Sequence, residues 1–221
     1  DDDDDEDDDD DSHGDDDDDD DDVVEEEKPK SPKKSDDKGA AEDAADALDD
    51  MTLGMTAKES AISTMKEFLA PGPAPDAIVT KVRELASEGQ LMLKECAYIC
   101  VAAMFDESVV SARQVAANAA SLQALVATDA NKFMARHLIG AVEDFCGFRV
   151  PALKKFFPVL LKQLYDEDIL EEEVILDWAQ QGVTYEFSPQ SMNSEQVKEL
   201  RVLADQFINW LEEAEGDDDD E

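Results

Sequence analysis

From Thr56 onward, apolar residues recur at intervals of three and four, and no stretch alternates with the two-residue period of a strand. A Thr56/Glu59 capping pair followed by Ile62, Met65, Phe68 and Leu69 predicts a first helix, ended by Pro71-Gly72-Pro73-Ala74-Pro75. Asp76 is expected to cap a second, Ala77 to Ser87, whose stripe is Ile78, Val82 and Leu85 and which Gly89 stops. An almost wholly apolar helix, Leu91 to Phe105, comes next. An Ala-rich one then runs from Ser108 to about Thr128, with Val115, Leu122, Leu125 and Val126 as its larger members. Lys132 to Cys146 carries Phe133, Leu138, Val142 and Phe145, and a short stretch from Pro151 to Phe156 leads onward. Near the end, Asn193 and Gln196 form a capping pair for a helix bearing Val197, Leu200, Ala204, Phe207, Ile208 and Leu211 on one face, with Trp210 beside it.

The most informative stretch is Phe157 to Trp178, read as two short helices joined by an acidic corner. Pro158 suits the first turn of a helix, where a missing N–H costs nothing, and Phe157, Leu160, Leu161 and Leu164 form the stripe. Asp168 and Glu171 stand three apart, the spacing of an N-cap and its reciprocal partner. Leu170, Val174, Ile175 and Trp178 are the expected buried face of the second helix. Asp166, Glu167, Glu171, Glu172, Glu173 and Asp177 are left pointing outward, with Lys162 as the nearby base. Acids in a first turn are stabilised by the helix dipole, so part of this charge needs no other explanation. From spacing alone the patch reads equally as a solvated face or as a surface seeking a cation.

Helices of this length with short joints predict an all-α fold, antiparallel pairs stacked as a small solenoid without visible sequence repeats. Residues 56–215 are the expected helical domain, between an acidic linker at 1–55 and an acidic tail at 216–221, both expected to be disordered.

Charge sharpens this picture. The formal net charge is −40; removing the 19 acids of the first 22 residues and the five that end the chain still leaves −16. Phosphate backbones would be repelled, so nucleic acid is not expected as a direct partner and basic protein segments are. A short basic interruption, Lys28 to Lys38, contains Ser31-Pro32, a dipeptide too common to carry weight. The chain begins at Asp1 without a signal pattern and is expected to be a piece of a longer protein. No apolar run approaches a membrane span, and three cysteines without framework spacing fit a reducing compartment.

The pattern carries no catalytic signature. Cys96 and Cys100 lie one turn apart, but Cys146 is distant and His137 lacks a suitable neighbour, so buried packing is preferred over zinc. Gly140, Gly147 and Gly182 are isolated rather than part of a phosphate loop, and no nucleophile elbow is present. No catalytic residue, metal or cofactor is expected.

Two segments carry a family resemblance. Leu-Tyr-Asp-Glu-Asp-Ile-Leu-Glu-Glu-Glu-Val-Ile-Leu-Asp-Trp, ending at Trp178, resembles the first aromatic/acidic box of the W2 domain, and Phe207-Ile-Asn-Trp-Leu-Glu-Glu-Ala-Glu215 resembles the second. Such domains close translation initiation factor 5, the epsilon subunit of initiation factor 2B and the basic-leucine-zipper-and-W2 proteins; the wording of the first box and the Lys-Ser-Pro-Lys-Lys linker look most like the factor 5 kind. The resemblance implies a HEAT-like fold and a cytoplasmic, monomeric adaptor. Its acidic boxes would bind lysine-rich segments of the beta subunit of initiation factor 2, and would contact initiation factors 3 and 1. Carried over, Asp166, Glu167, Asp168, Glu171, Glu172, Glu173 and Asp177 would meet the lysines, extended by Glu212, Glu213 and Glu215. Tyr165, Trp178, Phe207 and Trp210 would be the structural aromatics, the two tryptophans packing the box helices together. The family's GTPase-activating domain has no counterpart in these residues, so binding without stimulation of GTP hydrolysis is expected. A reading from another class is an acidic chaperone for basic proteins, resting on the tails.

Overall fold

The computed structural model describes residue 53 and residues 56–216, with side chains through Glu213. The expected linker, Leu53 apart, and the tail beyond Gly216 lie outside the described residues. Among the described residues every element is helical. They are α1 at 56–69, α2 Pro75–Glu88, α3 Glu95–Met104, α4 Gln114–Ala117, α5 Ala119–Val126, α6 Phe133–Asp144, α7 Phe157–Asp166, α8 Glu172–Gln181, α9 Ser194–Val202 and α10 Asp205–Gly216. A π turn, Phe145–Arg149, and a 3-10 segment, Pro151–Phe156, join α6 to α7.

The helices stack in successive pairs, and α6 is the element the others surround. It packs on α3, α5, α7 and α8, while α2 lies on α3 and α5 and α8 lies on α10. Every residue from Met134 to Asp144 is buried. A helix covered on all sides has no solvated face, so its polar residues must find partners inside. The expected stripe therefore understates the burial of α6, and it misplaces Phe133, which is 50% exposed. Close approach at the centre depends on Gly140: a Cβ there would collide with the carbonyl oxygen of Phe187 and crowd the Tyr98 hydroxyl at 2.9 Å.

Four expected helices are corrected, and the last of them, read as one run from Asn193 onward, is two, α9 and α10, parted by a turn at residues 203–204. α2 begins at Pro75 with Ala74 as N-cap and no side-chain cap; the proline supplies a first residue that needs no N–H partner, which leaves Asp76 in the first turn. Residues 91–94 form tight turns before α3, with Leu91 N–H donating to the Ala86 carbonyl and Glu95 N–H to that of Met92. The Ala-rich helix is broken. Asp106 Oδ1 accepts from the N–H and hydroxyl of Ser108, Gln114 Oε1 accepts from Asp106 N–H, and Arg113 sits at φ +51°. Burying Val109 and Val115 completely overrides what alanine propensity favours. In contrast, the Asn193/Gln196 capping box forms reciprocally, with both bonds at 2.9 Å.

Candidate functional site

The acidic corner is fixed by the apolar residues around it. α7 buries Phe157, Leu160, Leu161 and Leu164, and α8 buries Val174, Ile175 and Trp178. Asp168 does not cap α8, as its spacing to Glu171 suggests. It ends α7 in the left-handed conformation, φ +54°. Its N–H donates to the Tyr165 carbonyl at 3.0 Å, and Ile169 N–H donates to the Leu164 carbonyl at 2.9 Å. That is a Schellman closure, with aspartate where glycine is usual and the buried pair Leu164 and Ile169 forming its hydrophobic contact. Leu170 is buried in the joint rather than on α8, whose N-cap is Glu171 with extended backbone and no side-chain cap. Gln123 on α5 braces the corner by donating to the Glu167 carbonyl at 2.8 Å.

With the leucines held inside, the carboxylates are turned out. Asp166, Asp168, Glu171 and Glu172 line one open bay of about 380 Å³ together with Tyr165 and Leu170. Glu172 Oε1 is enclosed without a donor among the described residues. A second groove, about 440 Å³, adjoins it between the α5–α6 loop and the corner, with Val126, Ala135, Ile169 and Val174 on its walls and Asp129, Lys132, Asp168 and Glu171 among its polar lining.

Among the described residues the corner has two resident bases rather than one. Lys162 pairs with Asp166 at 2.7 Å, as helical spacing allows. Lys132, 39 residues before Glu171, bridges Glu171 at 2.7 Å and Glu173 at 2.5 Å. Its hydrogen bonds to both glutamates raise the Lys132 pKa, and the same contact lowers that of Glu173. Glu167, Asp168, Glu172 and Asp177 have no ion pair among the described residues. Asp177 is exposed one turn beyond Glu173, on a part of α8 that feels the Arg136 charge.

The second box meets the first through aromatic contacts. The Tyr165 ring lies edge-on to Phe207 at 6.4 Å and to Trp210 at 6.2 Å, and Phe207 stacks with Trp210 at 6.0 Å. Lys162 Nζ lies 5.3 Å from the centre of the Trp210 ring. The two tryptophans differ. Trp178 is 1% exposed and packs on Phe157 at 5.7 Å, whereas Trp210 is 45% exposed at the edge of the acidic face. Glu212 and Glu213 are exposed on α10, and the side chain of Glu215 lies outside the described residues.

Pattern reading missed a buried polar lock beneath this surface. Glu143, fully buried on α6, accepts from Trp178 Nε1 at 3.1 Å and from Arg201 Nε at 2.7 Å through one oxygen. Arg201 also donates to the carbonyls of Trp178 and Gly182, and its guanidinium lies 4.8 Å from the centre of the Trp178 ring. Burial raises the Glu143 carboxyl pKa, while Arg201 and Trp178 pull it down. Next to it, Asp144 accepts from Ser191 and from Arg149, which also reaches Glu59 on α1 at 2.8 Å. The only sequence signal for this lock was an acidic pair inside a helix whose other residues are nearly all apolar. The three cysteines are buried free thiols whose pKa burial raises, to about 11 for Cys96 and about 12 for Cys146. His137 is buried against Phe187, and desolvation lowers its pKa to about 4.

The corner lies within the part of the chain that resembles known proteins. The sequence model of the family described as W2: eIF4-gamma/eIF5/eIF2-epsilon matches residues 134–221. Eukaryotic translation initiation factor 5 of Mus musculus is 39% identical over 85 residues, 38% of this chain and 19% of that protein. The same factor of Saccharomyces cerevisiae is 33% identical over 124 residues, and a probable factor 5-2 of Arabidopsis thaliana is 27% identical over 169. The matched part thus spans between 19% and 35% of these relatives' lengths. A solved C-terminal domain of translation initiation factor 5 superposes with a TM-score of 0.54 at 24% identity, covering 72% of this chain and 94% of that one, which shows a shared HEAT-like fold.

Proposed function

Because this chain carries a W2 domain of the kind found in initiation factor 5 or a related protein, we propose that it is a non-catalytic adaptor of translation initiation whose α7–α8 corner binds lysine-rich segments of other initiation factors. The beta subunit of initiation factor 2 is the principal partner in this reading, with initiation factors 3 and 1 as further contacts and the cytoplasm as the setting. Residues 56–215 act as the binding unit, and GTP hydrolysis is left to other parts of the factor. Among the described residues no helix is long and apolar enough to cross a membrane.

The observation that carries this reading is the bay in which Asp166, Asp168, Glu171 and Glu172 meet beside the Tyr165 ring. A lysine offers an ammonium for the carboxylates and a methylene stem for Tyr165 and Leu170. The bay stands on two buried helix faces, so its carboxylates need not be gathered at the moment of binding, which lowers the ordering cost. In this reading Glu167, Glu173, Asp177, Glu212 and Glu213 extend the same negative field.

Calorimetric titration with an oligolysine peptide tests the assignment. In the chain lacking residues 1–22, reversing Glu171, Glu172 and Glu173 to Lys is expected to abolish binding while leaving far-UV circular dichroism unchanged; affinity retained at equal salt would reject the corner. Deleting residues 1–22 separates the rival class, since an acidic chaperone acting through its tail loses binding and a corner-driven adaptor largely keeps it.

A further inference from the structure

Lys132 occupies the position that an incoming lysine would take. It comes from the α5–α6 loop, holds the left-handed conformation at φ +61°, and places its ammonium between Glu171 and Glu173. These are the two carboxylates that flank Glu172, which retains an enclosed oxygen without a donor among the described residues. The Lys132 side chain is 40% exposed and each glutamate 71%, so water reaches the bridge from outside. Exposed bridges of this kind contribute little to stability and are readily exchanged. Beside it runs the groove of about 440 Å³, whose apolar lining residues, Val126, Ala135, Ile169 and Val174, match the methylene stem of a lysine, and whose lining also includes Asp168 and Glu171. Asp129, in the same lining, is already engaged by the backbone N–H groups of Asn131 and Met134, so it holds the loop rather than a ligand.

We propose that the groove between the α5–α6 loop and the α7–α8 corner receives a lysine side chain of the bound segment, and that Lys132 is a resident stand-in which this lysine displaces. The inference rests on the corner being the binding surface. Docking is then an exchange of one ammonium for another at Glu171 and Glu173. Lys132 keeps the corner from binding stray cationic chains tightly, and it sets the affinity for segments that can also fill the groove.

The test is a titration of the isotope-labelled full chain with an oligolysine peptide, read at the amide resonances of Glu171 to Val174 so that binding elsewhere does not enter. Lys132→Met and Lys132→Gln are both expected to saturate at about fivefold lower peptide concentration, the effect of removing one exposed competing pair. Lys132→Arg is expected to behave like the parent. Lys81→Met, which removes a charge on α2, controls for net charge. Unchanged or weaker binding in both Lys132 variants overturns the inference, as does equal tightening by Lys81→Met. The pair Glu171→Gln and Glu173→Gln distinguishes the two levels. If it leaves the titration unchanged, the corner itself is not the binding surface; if it weakens binding while the Lys132 variants do not tighten it, only the stand-in role falls.

Discussion

Replacing Arg201 by Met removes one half of the buried lock while keeping much of the side-chain volume. Glu143 would then be a fully buried carboxylate whose only remaining donor among the described residues is Trp178 Nε1, and the carbonyls of Trp178 and Gly182 would each lose a partner. Breaking a buried ion pair from one side costs roughly 3–5 kcal/mol. For a chain of this size that corresponds to a fall in Tm of about 6–20 °C. The pH dependence identifies the cause. Burial already raises the Glu143 pKa in the folded protein, and without Arg201 the main opposing influence is gone. A carboxyl whose folded pKa lies above its unfolded value favours folding below the unfolded pKa, and that contribution is lost as pH rises through the folded pKa. The variant is therefore expected to be weakest near pH 7 and to recover toward pH 5, as Glu143 takes up a proton. Urea and thermal unfolding at both pH values measure this. Combining Glu143→Gln with Arg201→Met is expected to restore most of the loss, because the amide oxygen still accepts from Trp178 and no charge remains buried. A single variant within about 1 kcal/mol of the parent at pH 7, or with the parent's pH slope, would refute the reasoning.

Other perturbations probe different parts of the fold. Gly140→Ala is expected to destabilise by about 1–3 kcal/mol, since its Cβ meets the Phe187 backbone, which cannot rotate away; chemical denaturation measures it. Trp178→Ala is expected to cost roughly 3–5 kcal/mol, whereas Trp210→Ala, at a half-exposed edge, is expected to leave the denaturation midpoint close to the parent's and to weaken oligolysine binding. His137 has its pKa lowered to about 4 from 6.5 by burial, so its contribution is present above about 6.5 and lost as pH falls toward 4. His137→Gln is accordingly expected to flatten that part of the acid-stability profile in thermal scans.

The sequence revealed what depends on neighbours three or four residues apart. The stripe of α7, the buried Val174, Ile175 and Trp178 of α8, the Asn193/Gln196 box and the outward turn of Asp166, Glu171, Glu173 and Asp177 follow from local spacing and are present. What it hid depends on contacts between distant segments. Lys132 reaches Glu171 and Glu173 across 39 and 41 residues, and Glu143 finds Arg201 across 58. No periodicity announces either pair. Asp168 shows a subtler failure: its spacing to Glu171 suited a cap, yet ending α7 in a Schellman closure lets Ile169 and Leu170 both reach the core. The broken Ala-rich helix has the same origin, since tertiary burial of two valines outweighs a weak local preference.

The central claim is that lysine side chains dock at the α7–α8 corner, and mapping amide shifts across the labelled full chain during an oligolysine titration tests it most directly. The expected result is a set of perturbed resonances spanning Tyr165 to Val174, joined by Lys132 and the Trp210 indole, which fades as salt is raised because exposed charges are screened beyond about 8–10 Å. Perturbations confined to the acidic termini, with the corner resonances unmoved at saturation, would contradict it.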